Sequence, residues 1–334
     1  MIAISLLTSN GEEWEGLVIG IDTSAYTTSL AVVTRDQVVF DQRMVLSVPP
    51  GQRGLRPSEA VYHHTRNFPV LYKNWRQVAE NLEAPVRAVA ASTRPRPIAD
   101  AYLPTFTVGE AYAQVIALTL NVPLIATSHQ EGHIRAGLYA AGRSFSQRFY
   151  ALHVSGGTTE LLQVEPRGPG SWNITLLGGS DDLYAGQFVD RIGVALGLSF
   201  PAGPELERVA SDSVNPLMFN PGIVRHKDGS VWISFSGLEA QAQRALKEGK
   251  LPQDIARGVE IGVGRALANV IEAGAEPGPM LVVGGVAANQ MIREIIRQRT
   301  ALDAKWDILF ATPQLSRDNA VGVAWIGWDT WHRR

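Results

Sequence analysis

The chain has 334 residues, 45% of them hydrophobic and 19% charged, which excludes wholesale disorder and gives a prior of about two domains. Thirty Lys and Arg against 32 Asp and Glu leave a net charge of −2, so nucleic-acid contact would need a local basic patch or a partner. With no cysteine, disulfides, thiolate nucleophiles, Cys-ligated zinc and iron–sulfur clusters are excluded, which fits a reducing compartment.

The N-terminus, Met1 to Leu7, lacks a basic segment and is followed by Glu12, Glu13 and Glu15, which argues against a signal peptide. No apolar run approaches the roughly 18 residues that span a membrane, so a cytoplasmic protein is expected. Strands are predicted at Leu17–Ile21, Thr28–Val33 and Gln37–Phe40, split by polar turns. A helix over 57–82 is expected to break or kink at Pro69. A strand at Val86–Ala91, a helix at Val108–Leu120 and a strand-like Pro123–Ala126 follow.

The pattern then restarts. Phe149–Val154, Glu160–Val164 and Trp172–Leu177 read as strands, with a loop at Pro166–Gly170. Helices are expected over 182–197 and 252–273, a buried strand at Leu281–Val283, a helix from about 288, a strand at Trp306–Phe310 and a last helix over 317–330. Each half thus opens with three antiparallel strands and continues with alternating helices and strands. That order predicts a two-lobed α/β protein, with lobes 17–145 and 146–334, a ligand in the cleft, and a last helix free to pack back on the first lobe.

His129-Gln130-Glu131-Gly132-His133 places two imidazoles one helical turn apart, where both could reach one metal ion. Glu131 lies roughly 200° around the helix from His129, unlike the glutamate of a zincin, so a protease is disfavoured; capping or surface histidines are the alternative. Ser155-Gly156-Gly157-Thr158-Thr159 and Gly284-Gly285 each follow an apolar strand and read as phosphate-binding turns or plain tight turns. Asp190 has Gly186 at i−4 and Gly193 at i+3, which leaves room for a ribose or serves close helix packing. Asp182 and Asp318 read as helix caps. Residues 41–98 carry nine basic side chains (Arg43, Arg53, Arg56, Arg66, Lys73, Arg76, Arg87, Arg94, Arg96) and four acidic ones, a local excess of +5 that could face phosphates or simply solvent.

Taken in order, the motifs resemble one family, the tRNA N6-adenosine threonylcarbamoyltransferases. They are H-x-E-G-H at His129–His133, V-S-G-G-x-T at Val154–Thr159 and D-x-x-x-G-x-x-x-D at Asp182–Asp190. G-L-x-x-P-x-G-P at Gly197–Pro204, S-F-S-G-L at Ser234–Leu238, G-G-V-A-A-N at Gly284–Asn289 and D-N-A at Asp318–Ala320 complete the set, which covers about 17–330. The resemblance implies an actin-like/Hsp70-like ATPase fold and transfer of threonylcarbamoyl from threonylcarbamoyl-AMP to N6 of the adenosine beside the anticodon. It implies one divalent metal, iron or zinc, on His129, His133 and Asp318. It carries substrate contacts onto Val154, Ser155, Gly156, Gly157, Thr158, Asp190, Gly203, Gly285 and Asn289, with threonylcarbamoyl-AMP or ATP/AMP as the nucleotide. The implied partners are tRNA, a degenerate paralogue and a small P-loop ATPase.

The sequence departs from the family at Tyr26 and Thr27 (an acidic pair in the family), Thr158 (His), Leu183 (Asp), Gln187 (Glu) and Glu239 (Lys). The family's G-P-G-L loop reads Arg94-Pro95-Arg96-Pro97. Two other readings stay open at this level: a carbamoyltransferase for a small molecule, or a nucleotide- and metal-binding scaffold without turnover.

Overall fold

The computed structural model describes residues 16–49, 54–82, 84–98, 100–168, 170–301, 306–316, 318 and 320–332. The expectations placed on Met1–Leu7, Glu12, Glu13, Glu15, Arg53, Glu83, Pro169 and Asn319 lie outside the described residues.

The first sheet holds β1 (Leu17–Thr23), β2 (Thr27–Val33), β3 (Val38–Val45), β4 (Val86–Arg94) and β5 (Leu124–Ser128) in the order β3-β2-β1-β4-β5. Its first three strands are antiparallel; β4 and β5 join in parallel. The second sheet holds β6 (Phe149–Val154), β7 (Thr159–Gly168), β8 (Ser171–Gly179), β9 (Gly222–Arg225), β10 (Val231–Ser234), β11 (Pro279–Val283) and β12 (Asp307–Phe310). Its strands β8-β7-β6-β11-β12 repeat the first order and pairing senses, and β10 and β9 extend the sheet beyond β8. One topology used twice is the duplicated α/β arrangement that the sequence predicted.

The helices are α1 (Pro57–Ala79), α2 (Pro104–Leu120), α3 (His129–Ala140), α4 (Ala185–Ala195), α5 (Gly203–Ala210), α6 (Phe235–Lys247), α7 (Pro252–Gly274), α8 (Gln290–Thr300), the short α9 (Pro313–Ser316) and α10 (Val321–Trp331). Period-two alternation along β1 sorts its side chains between two cores. Leu17, Ile19 and Ile21 meet Phe68, Leu71 and Trp75 of α1, while Val18 meets Val323, Ala324 and Trp325 of α10. On the second sheet, Phe149, Ala151, Leu281 and Val283 pack against Ile134 and Leu138 of α3, and Tyr150, Leu152 and Val154 meet α4 to α8. Helices α3 and α10 therefore lie between the sheets and pack on each other.

That seam is tight. A Cβ built on Gly322 of α10 would collide with the carbonyl oxygen of Gly132 on α3. Gly322→Ala is therefore expected to destabilise the protein by ~1–3 kcal/mol through forced separation of the two helices, measurable as a lower denaturant midpoint.

Several expectations are corrected. Helix α1 runs unbroken through Pro69. Pro69 has no N–H for the Thr65 carbonyl, and that oxygen accepts from Tyr112 Oη at 3.2 Å instead. The expected loop at 166–170 is largely strand, since β7 runs to Gly168 and β8 begins at Ser171. Helix α4 starts at Ala185 rather than 182, and α10 starts at Val321 with Ala320 as its N-cap, so neither Asp182 nor Asp318 caps the helix assigned to it. Elements α5, α6, β9 and β10 had no sequence counterpart.

Candidate metal centre

Helix α3 begins directly after β5. Ser128 is its N-cap, with Glu131 closing the capping box: the Ser128 side chain accepts from the Glu131 N–H, and the Glu131 carboxylate accepts from the Ser128 N–H at 2.9 Å. This fixes the first turn, and the i,i+4 spacing brings His129 and His133 onto one face. Their Nε2 atoms lie 3.1 Å apart. Asp318, ahead of α10, brings its Oδ1 to 3.3 Å from His133 Nε2 and 3.6 Å from His129 Nε2. One ligand atom from each of the three residues lies within 4.8 Å of the other two.

A shell of hydrogen bonds orients the three. Asp22, fully buried at the end of β1, accepts from His129 Nδ1 at 3.0 and 3.1 Å and from Ser92 Oγ. His129 is thereby held with Nε2 turned towards Asp318. Ser24 Oγ donates to Asp318 Oδ2 at 2.6 Å, and His64 supports the same turn through Ser24 O at 2.8 Å. Carboxylate-to-histidine contacts of the Asp22–His129 kind are how proteins fix the tautomer of a metal-ligating imidazole.

The charges sort accordingly. Burial opposes a charged His129, yet the Asp22 carboxylate and its hydrogen bond push the ring up to about 9. Burial, with the charge of His129, pushes His133 down. Burial alone would raise Asp318, but the His133 hydrogen bond and the His129 charge hold it well below the usual carboxylate range. His133 Nδ1 is buried without a partner, as are both ring nitrogens of His153 on β6. Burial and then the neighbouring His133 and His129 push His153 far below the usual imidazole range. Two imidazoles, one carboxylate and orphaned nitrogens around them fit a divalent cation by donor chemistry.

The residues of the second group also come together. The β6–β7 turn is closed by Ser155 N–H on Thr158 O at 2.7 Å, and Gly157 N–H donates to Ser155 Oγ at 3.2 Å. Gly186 N–H, at the start of α4, donates to Ser155 O at 3.2 Å. Gly284 has a φ of +100° and packs its Cα face against the Val154 carbonyl, where no side chain would fit. Gly156, Gly157, Gly203 and Gly285 have no atom within 4 Å of a Cβ position, so their backbone faces open space.

Asp190 does not gain room from its glycines. Gly186 packs on the Ser155–Gly156 backbone and Gly193 on Ala202 Cβ, so both serve close packing. Asp190 Oδ1 accepts from Ala202 N at 2.7 Å, beside Gly203 at the start of α5; burial, against that bond, pushes its carboxyl up to about 6. Asn289 is committed internally: Oδ1 accepts from Ile292 N at 2.9 Å and Nδ2 donates to Glu260 Oε1 at 2.7 Å. Asp182 accepts from Ser234 Oγ and from the Phe235 and Ser236 N–H groups, so it serves the start of α6.

Burial, against Asn289 and Arg257, pushes Glu260 up to about 7. An acid whose pKa is raised by folding binds its proton better in the native state, so stability falls as pH rises from about 4.5 to 7. Glu260→Gln should remove this slope, gaining on wild type between pH 5 and 7.5 in thermal melts.

A pocket of about 330 Å³ is lined by His129, His153, Gly157 and Thr158, with Arg96 and Tyr102. The expected basic stretch is partly neutralised. Arg43 pairs with Asp41 at 2.6 Å and Arg96 with the buried Glu160 at 2.7 Å. The departures have local roles. Tyr26 stacks edge-on against Phe200 at 5.9 Å, Leu183 is core, and Glu239 pairs with Arg191 at 2.9 Å. Sequence reasoning missed Asp22 and His153. Both lie on strands whose side-chain alternation was readable, but only the sheet register shows that they face α3.

Two sheets that repeat one strand order, each a meander extended by parallel strands, with α3 and α10 between them, define an actin-like α/β fold. The activator of 2-hydroxyisocaproyl-CoA dehydratase from Clostridium difficile, solved with bound ADPNP, superposes with a TM-score of 0.55 at 14% identity, over 95% of this chain and 96% of that one. The family model for tRNA N6-adenosine threonylcarbamoyltransferase matches residues 37–325. The enzymes of that name from Methanopyrus kandleri and Thermus thermophilus are 32% and 33% identical over 93% of this chain and 86% and 92% of theirs. The chain belongs to the tRNA N6-adenosine threonylcarbamoyltransferase family.

Proposed function

We propose that this protein transfers the threonylcarbamoyl group of threonylcarbamoyl-AMP to N6 of the tRNA adenosine next to the anticodon, using His129, His133 and Asp318 to hold one divalent cation, iron or zinc. The observation that supports this best is the convergence of those three donors within 4.8 Å, with His129 also lining a pocket that Gly157 and Thr158 line.

In the reaction the N6 amine attacks the carbamoyl carbon, the bond from that carbon to the AMP phosphate oxygen breaks, and N6 gives up a proton. A bound cation would supply Lewis-acid polarisation of the carbamoyl carbonyl. The turn Val154, Ser155, Gly156, Gly157 and Thr158 offers backbone N–H groups and hydroxyls to the phosphate. Gly203 and Gly285 let backbone approach the nucleotide, Asp190 offers its free oxygen to ribose hydroxyls, and Asn289 fixes the turn after Gly285. Holding donor and acceptor in one cleft supplies the orientation that a weak nucleophile such as an adenine amine needs. Lobes of 17–145 and 146–334 would form that cleft, with tRNA and partner proteins, a paralogue and a small P-loop ATPase, completing the acceptor surface in the cytoplasm. Among the described residues no helix is long and apolar enough to cross a membrane.

The test is incubation of the metal-loaded protein and its partners with threonylcarbamoyl-AMP and unmodified tRNA, followed by digestion and mass measurement of the nucleosides. Threonylcarbamoyladenosine supports the reading. Release of AMP with the group transferred to a small molecule, or no consumption at all, would replace it by one of the two alternatives.

A further inference from the structure

The loop after β4 has no part in the reading above, yet it carries Arg94-Pro95-Arg96-Pro97 where the family has G-P-G-L. Two contacts fix it against the first turn of α3. Arg94 pairs in register with the N-cap residue Ser128, and the Gln130 N–H donates to the Pro95 carbonyl at 3.1 Å. The Arg96 guanidinium lies 2.7 Å from Glu160 Oε1. Glu160 is 4% exposed, and its Oε2 accepts from Gln130 Nε2 at 2.6 Å. It stands opposite His153 in the β6–β7 register, on the sheet face that looks towards His133. A buried carboxylate destabilises the fold unless a cation meets it, and an apolar residue would fill the position without that cost. What Glu160 adds is a guanidinium held in place. Among the described residues Arg96 has no other ion-pair or hydrogen-bond partner, and its side chain is 35% exposed. It lines the pocket of about 330 Å³ with His129, Gly157 and Thr158, so the donors of its planar fork that Glu160 leaves over are available to a ligand there.

We propose that Arg96 binds the carboxylate of the donor's threonyl group, with Glu160 as its positioning residue, so that this chain selects a carbamoyl donor that carries an α-carboxylate. The inference rests on the donor assigned in the preceding subsection. In that molecule only the nitrogen and Cα separate the carboxylate carbon from the carbamoyl carbon, so a carbamoyl group held beside His129 brings its carboxylate into the same pocket. The phosphate has its own donors in the Ser155–Thr158 turn, which leaves the guanidinium for the second anion.

The test is calorimetry on the zinc-loaded full chain with two stable donor analogues in which a sulfamoyl group replaces the phosphate. One carries threonine; the other carries the amino alcohol left when threonine loses its carboxylate. Wild type should bind the threonine analogue ~10–100-fold more tightly than the amino-alcohol analogue, the range expected for a hydrogen-bonded ion pair. Arg96→Gln should lose that preference while binding the amino-alcohol analogue and AMP as wild type does. Glu160→Gln keeps the guanidinium but frees it, and should lose part of the preference. Zinc content should stay the same in both. Arg96→Gln strands a buried carboxylate, so the double variant with Glu160→Gln carries the same comparison if the single one does not fold. Three results overturn the proposal: equal binding of both analogues by wild type, an Arg96→Gln that weakens both analogues or AMP alike, which assigns the guanidinium to the phosphate, and an Arg96→Gln whose only defect is a higher KM for tRNA. Wild type that binds neither analogue removes the donor reading as well; binding of both without preference leaves that reading standing and removes the role of Arg96 alone.

Discussion

Asp318→Asn is expected to lose metal retention and transfer together, with zinc or iron affinity falling by more than ~100-fold, beyond the range typical of groups that merely support a ligand. The side chain is nearly isosteric, so the packing ahead of α10 is kept. What changes is charge. Asp318 Oδ1 stands 3.3 Å from His133 Nε2 and 3.6 Å from His129 Nε2, and Oδ2 already accepts from Ser24 Oγ at 2.6 Å. It is the single carboxylate of the three-donor group. A neutral amide leaves two imidazoles to balance a divalent charge in a buried setting, which is unfavourable. Chelator competition and single-turnover consumption of threonylcarbamoyl-AMP measure the two losses. Metal lost with transfer retained would show that the donors are structural.

Asp22→Asn is expected to act one shell out, and pH separates its two effects. In wild type a cation must displace the proton that Asp22 stabilises on His129, whose pKa is pushed up to about 9. Metal affinity should therefore rise ~tenfold per pH unit from neutrality until about pH 9 and then level off. Without the carboxylate, burial dominates and His129 loses its proton at or below the ordinary 6.5, so the variant's affinity should level off near neutrality. At pH 9 the variant should bind ~10–100-fold more weakly, because the carboxylate no longer orients the ring. At pH 7 the gap closes or reverses, since the variant has no proton to displace while wild type must displace one. The same linkage governs metal-free stability. His129 has a raised folded-state pKa, so its contribution is complete below 6.5 and is lost as pH rises through 9; Asp22→Asn should flatten that loss. Apparent dissociation constants at pH 6, 7, 8 and 9 decide between this crossing pattern and a uniform offset, which would contradict it.

Much of the architecture was legible because the strands that carry it are apolar and bounded by polar turns. Leu17–Thr23 and Phe149–Val154 each begin a meander, and the restart at Phe149 exposed the duplication. What escaped was set by tertiary partners. Pro69 stays inside α1 because Tyr112 takes over an orphaned carbonyl. Helix α6 buries Phe235, Leu238, Ala242 and Ala245, a helical spacing weakened by two alanines, and α5 opens on Gly203-Pro204, which reads as a turn. The three-donor group was legible as an i,i+4 pair plus a distant aspartate only through the family's motif order, since no spacing links residue 133 to residue 318. Asp22 and His153 were not legible, because their significance depends on which strand ends meet α3.

The most direct measurement is the yield of threonylcarbamoyladenosine in tRNA as the metal-free protein is titrated with Zn2+ or Fe2+ in the presence of its partners and threonylcarbamoyl-AMP. Product should rise in proportion to bound metal and saturate at one ion per chain in wild type, with none formed by Asp318→Asn. Full product from protein that holds no metal would contradict the assignment of His129, His133 and Asp318 as the centre on which transfer depends.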